Sequence, residues 1–153
     1  MTAPDEIRRL VRQYEHKSSY GTEPNFDKVL SLGPAVVPFF AEAYPTAKRW
    51  RQRASFLYRS VRYAKESKSA RELAVQALAD KSREVRYRAC MLLAVSQDRQ
   101  VLPALRATLS HPDAQTRADV AAAIDAIERR NHNYFVDRGH TGMINLVVVG
   151  DDA

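Results

Sequence analysis

Glycine is scarce in this chain, five residues in 153, and none falls between Gly33 and Gly139. A middle so poor in glycine has few positions for the left-handed turns of β-hairpins, so it predicts helices joined by short turns rather than a sheet. Cysteine occurs once, at Cys90, which excludes an internal disulfide. Long apolar runs are missing too: Met143 to Val149 is the longest, it contains Asn145, and it is too short to span a bilayer. The acidic opening residues are followed by no apolar leader segment. A soluble, cytoplasmic protein that does not enter a membrane is the expectation. Absent as well are a glycine-rich phosphate loop, a serine nucleophile elbow and a His-Glu-x-x-His run, so no catalytic residue, cofactor or metal is assigned and a non-enzyme is expected.

What is present is enough for one core. With 45% hydrophobic and 27% charged residues, the chain is neither a disordered tail nor a fibre, and one domain over residues 1–153 is expected. The formal charge is +6, and its distribution is uneven. Residues 1–35 are neutral, 36–65 carry +6, 66–100 carry +2 and 101–153 carry −2. The excess therefore rests on Lys48, Arg49, Arg51, Arg53, Arg59, Arg62 and Lys65, opposed only by Glu42. A patch so localised points to an acidic partner.

Three stretches repeat one pattern. Aligning Arg51, Arg86 and Arg117 superimposes Trp50, Val85 and Thr116, then Ala54, Ala89 and Val120, then Leu57, Leu92 and Ala123, all on one helical face. This register predicts that Trp50, Val85 and Thr116 point inward and that Trp50, Ala54, Leu57, Val61 and Ala64 form a buried stripe. A shorter helix precedes each of these: Val36 to Tyr44, Ser69 to Ala79, and Val101 to Leu109. Pro38 and Pro103 mark two starts, and Ser82 and Asp113 are capping residues in the turns.

The segments Leu78-Ala79-Asp80-Lys81-Ser82-Arg83-Glu84-Val85-Arg86 and Leu109-Ser110-His111-Pro112-Asp113-Ala114-Gln115-Thr116-Arg117 resemble the inter-helix turn of HEAT repeats, in particular the shorter HEAT-like kind first noted in bilin lyases. That turn has Leu, then Asp-Pro-Asp, then Val-Arg. The first copy keeps Asp80 and Val85-Arg86 without the proline; the second keeps Pro112-Asp113 and Arg117. The resemblance spans roughly Val36 to Arg130 and implies a mainly α, right-handed solenoid of antiparallel helical hairpins. It also implies that the second helix of each pair lines a concave surface.

The flanks differ from the repeats. Residues 1–35 read as a helical cap, with Ile7, Leu10, Val11 and Tyr14 on one face of a helix from Asp5 to His16, an exposed connection from Ser18 to Pro24, and a second short helix from Asn25 to Leu32. Residues 36–130 hold the three repeats. Residues 131–153 read as a β-hairpin around Arg138-Gly139-His140-Thr141-Gly142, either covering the solenoid end or offering an apolar edge.

Candidate binding residues follow from this layout. Lys48, Arg51, Arg59 and Arg62 lie on one side of the predicted second helix, and the resemblance places Arg86 and Arg88 further along the same groove. His132, Asp137 and His140 could converge if the hairpin folds back. The expected function is a non-enzymatic module that sequesters or inhibits a protein with an acidic surface, as an immunity protein neutralises a toxin, and a monomer is favoured. Nucleic acid is the alternative, since Tyr58, Tyr63 and Tyr87 interleave with the basic residues, although Tyr58 is expected in the core and the C-terminal third is acidic. A glycosylase site is not matched, because the only tryptophan, Trp50, falls on the predicted buried stripe.

Overall fold

Side-chain oxygens start three of the helices. Ser67 accepts from the Ala70 N–H, Ser82 from the Val85 N–H and Asp113 from the Thr116 N–H, each satisfying an amide that the first helical turn leaves without a partner. Proline does the same work elsewhere, at Pro4, Pro38 and Pro103, where a missing N–H costs nothing. The computed structural model describes residues 3–15 and 26–148. Its helices are α1 (Pro4–Gln13), α2 (Asp27–Leu30), α3 (Val37–Ala43), α4 (Trp50–Ser60), α5 (Lys68–Ala77), α6 (Arg83–Ser96), α7 (Leu102–Thr108) and α8 (Ala114–Glu128). The expected connection from Ser18 to Pro24, with His16 and Asn25, lies outside the described residues.

The helices pair as α3 with α4, α5 with α6, and α7 with α8. The second members α4, α6 and α8 pack side by side, and α3 packs on α5, so two helical layers enclose a core of small and branched residues. Leu73, Ala74 and Ala77 of α5 and Val85, Ala89, Leu92 and Leu93 of α6 are almost wholly removed from solvent. At the N-terminal end an aromatic stack takes over. Tyr14, Phe40 and Phe56 join the segment after α1 to α3 and α4, with ring centroids 5.3 Å apart for Tyr14 and Phe40 and 4.9 Å for Phe40 and Phe56. Such contacts add about 1 kcal/mol per pair to the area they bury. Burial pushes the Tyr14 hydroxyl up to about 12, against the opposing pull of Arg59 and Arg62.

An arginine ladder fixes the register of the repeats. Arg53 Nη1 donates to the Ala47 and Lys48 carbonyls, Arg86 Nη1 to Asp80 O, and Arg117 Nη1 to His111 O and Pro112 O. Each guanidinium thus turns back onto the carbonyl six residues earlier, closing the turn that precedes its own helix. The structural equivalents are Arg53, Arg86 and Arg117, not Arg51, so the inward trio is Gln52, Val85 and Thr116, at 6%, 0% and 1% exposure. Trp50, expected inside, is 42% exposed. The physical cause is a slip of two residues, roughly 200° of helical rotation, which carries Trp50 from the core to the surface. Leu57, Val61 and Ala64 are buried, Ala54 is half-buried, and Tyr58, expected in the core, is exposed.

The C-terminal hairpin is also corrected: the described residues contain no strand. After α8 the chain makes a short 3-10 turn, His132–Phe135, which packs on α8 and α6. Phe135 is fully buried with its ring 5.4 Å from that of Tyr87. A tight loop follows in which the Asp137 carboxylate accepts from the N–H groups of Thr141 and Gly142 and from the Thr141 hydroxyl. Gly142 has φ +76°, a conformation that suits glycine. From there Met143–Val148 returns over the inner helices with no strand beside it.

Candidate binding surface

Four exposed or half-buried side chains run along α4. At 100° per residue, Trp50, Arg51, Ala54 and Tyr58 share a sector of about 100°, and Arg62 continues it into the turn beyond. The Arg51 guanidinium lies 5.3 Å from the Trp50 ring centroid, so the indole face is already polarised by a cation. Across the α4–α6 seam, Arg88 stands 5.2 Å over Tyr58 and 5.7 Å from Tyr87. Lys48 and Arg51 have no carboxylate within ion-pairing distance among the described residues, whereas Arg49 meets Glu15 at 3.5 Å and Arg53 is committed to Asp80.

The other expected site residues divide. Arg59 turns away from the stripe, its Nη2 at 3.5 Å from the Leu30 carbonyl, because its position lies on the side of α4 that faces α2. Arg86 does not line a groove: it is 6% exposed and is held by Thr116 Oγ1 at 2.8 Å, Asp80 O at 2.7 Å and Asp113 at 3.5 Å. His132, Asp137 and His140 do not pool their side chains. His132 Nε2 donates to Leu146 O at 3.1 Å, Asp137 is buried as the loop's acceptor, and His140 Nε2 donates to Asp125 at 2.6 Å while its ring stacks on Tyr134 at 3.9 Å. Among the described residues no three His, Cys, Asp or Glu side chains gather as a metal site requires. Hydrogen bonds from the Thr141 backbone first, and from Gly142 and the Thr141 hydroxyl, hold the Asp137 carboxyl below its ordinary range, as a structural acceptor rather than an acid.

The repeat register and the turn chemistry agree with one comparison. Residues 70–132 match the sequence profile of HEAT repeats. Over those residues the chain carries HEAT repeats. No curated protein and no solved structure matches it. HEAT repeats are commonly protein-interaction modules, and the family is generally non-enzymatic. No helix among the described residues is long and apolar enough to cross a membrane.

Two residues went unrecognised as structural parts in the sequence. Gln52 reaches the end of α1, its amide donating to the Arg12 carbonyl at 2.7 Å and the Val11 carbonyl at 3.3 Å. Asp80, placed only as a turn residue, receives Arg53 on both oxygens, the Tyr44 hydroxyl and the Ser82 N–H. The signal for Asp80 was its match to the HEAT turn. Gln52 had none, since a polar residue on an otherwise apolar face is legible only with the carbonyls it meets.

Proposed function

We propose that the protein is a binding module for an acidic protein surface, engaged through the stripe of Trp50, Arg51 and Tyr58 with Lys48 and Arg88 beside it. The observation that carries this reading is the exposed Trp50 with Arg51 on its face and Lys48 two residues before it, neither cation being matched by a carboxylate among the described residues. Tryptophan and arginine are the residues that most often dominate the energetics of protein interfaces. An exposed pair of them has no packing role that would explain its cost. The concentration of charge within residues 36–65 supports the same partner chemistry. Sequestration of the partner, in the manner of an immunity protein that neutralises a toxin, is the form of binding that needs no catalytic group and only one small folded chain.

The test is co-purification from the native host with the wild type beside Trp50→Ala and Lys48→Glu/Arg51→Glu. A stoichiometric partner with an acidic surface, lost from both variants while their thermal midpoints stay within a few degrees of wild type, supports the reading. Retention of that partner by both variants overturns it. So does tight binding of a DNA duplex or single strand that falls steeply between two salt concentrations, which would make phosphate the ligand.

A further inference from the structure

The inner face of the repeats is already occupied by part of the chain itself. Tyr58 of α4, Val61 and Arg62 of the turn that follows it, Met91 of α6, and Leu146, Val147 and Val148 of the C-terminal segment surround one shallow pocket. Leu146 and Val148 are half-buried against the core, while Val147 between them is 78% exposed. An apolar residue in, one out and one in is the spacing of an extended peptide laid on a surface.

The anchors of this segment are informative. Leu146 is fixed at both backbone groups, its N–H donating to Asn133 Oδ1 at 2.8 Å and its carbonyl accepting from His132 Nε2 at 3.1 Å. Both partners belong to the turn after α8, not to the helices under the peptide. Toward α4 and α6 the segment presents aliphatic side chains. The sequence then runs Val149-Gly150-Asp151-Asp152, placing two carboxylates within four residues of Val148, which lies beside Arg62.

We infer that the Tyr58–Val61–Arg62–Met91 pocket is a peptide-docking site whose own tail stands in for the ligand: an extended partner segment with aliphatic residues at alternate positions followed by acidic ones. The inference deepens the protein-binding reading and rests on it. A partner segment that enters must displace Leu146 and Val148, so apparent affinity is reduced by the fraction of molecules whose tail is docked.

The experiment uses the full chain and a fluorescein-labelled peptide of residues 143–153 as probe. In Leu146→Asp/Val148→Asp the tail no longer docks, and the peptide should bind about tenfold more tightly than to wild type. His132→Ala, which removes a single anchor, should shift affinity in the same direction by about threefold and serves where the double variant melts. Met143→Asp, at an exposed position outside the pocket lining, should leave affinity unchanged. Adding Met91→Glu to the released variant should abolish binding. Equal peptide affinity across wild type, the released variant and His132→Ala overturns the inference, as does a wild-type chain that proves to be a tail-exchanged dimer by light scattering. Failure here with a partner still lost on Trp50→Ala would remove the tail pocket alone; loss of that Trp50 dependence would remove the protein-binding reading itself.

Discussion

Arg53 and Asp80 form a two-pronged ion pair between one repeat and the turn of the next, Nε to Oδ2 at 2.8 Å and Nη2 to Oδ1 at 3.1 Å, with both side chains under 8% exposed. The Tyr44 hydroxyl donates to the same carboxylate, and the remaining Arg53 nitrogen closes its own turn on Ala47 and Lys48. One repeat later, Asp113 occupies the corresponding place: Arg83 meets it at 2.7 Å and Arg86 at 3.5 Å. The ion pairs therefore join consecutive hairpins, and the apolar layers determine how tightly.

Removing Asp80 should be costly because Arg53 would be left charged and without its carboxylate in a mostly dry site. Asp80→Ala is expected to lose about 3–5 kcal/mol of unfolding free energy in urea titrations. Arg53→Met combined with Asp80→Leu should recover most of that loss, since an apolar pair of similar volume avoids desolvating either ion. A cost below about 1 kcal/mol for Asp80→Ala would mean the pair is solvated in practice.

Acid should weaken the same joints. Burial alone would raise the Asp80 carboxyl, but hydrogen bonds from Arg53, Tyr44 and Ser82 hold it below its ordinary value. Asp113 is held well below the carboxylate range by Arg83 and Thr116. A carboxyl with a lowered folded-state value binds its proton more readily when unfolded. Its stabilisation is therefore complete above the unfolded value near 3.9 and is lost as pH falls below it. Urea midpoints should be level from about pH 7 to 5 and drop below about pH 4, with a shallower drop in Asp80→Asn. An equal slope in that variant would assign the acid sensitivity elsewhere.

The helical hairpins were legible because caps and prolines act locally: Ser82, Asp113, Pro38 and Pro103 announce helix starts whatever packs on them. The register of the first repeat was not. Arg51 and Arg53 both flank apolar positions of α4, and only the carbonyls of Ala47 and Lys48, brought close by the turn, distinguish which arginine belongs to the ladder. The slip exchanged Trp50 for Gln52 at the inward position and hid the most exposed aromatic of the basic stripe. Met143–Val148 carries a strand's alternation, but its partners are helices and the side chains of His132 and Asn133, so pattern alone implied a neighbouring strand that the structure does not contain.

Cys90 should be chemically silent in the native protein. It is fully buried in α6, and burial, aided by Asp119, pushes its thiol up to about 12, so almost no thiolate exists near neutrality. Iodoacetamide at pH 8 should leave the folded chain unmodified and alkylate it completely in denaturant, as read by intact mass. Rapid native labelling would show that α6 opens far more often than its packing implies.

Gln52 provides the most local test of how the N-terminal helix is attached. Its side-chain amide is the buried donor that meets the Val11 and Arg12 carbonyls in the last turns of α1, where the chain then leaves the helix in an extended conformation at Tyr14. Replacing it with valine, the residue at the equivalent position of the next repeat, keeps an apolar contact but leaves those carbonyls without this donor. About 1–2 kcal/mol should be lost. Because the loss falls on one joint, amide hydrogen exchange should quicken in α1 while α6 and α8 keep their protection. Uniform quickening across all three helices would show instead that α1 and the repeats unfold as a single unit, and that Gln52 supports the whole fold through the Tyr14–Phe40–Phe56 stack beside it.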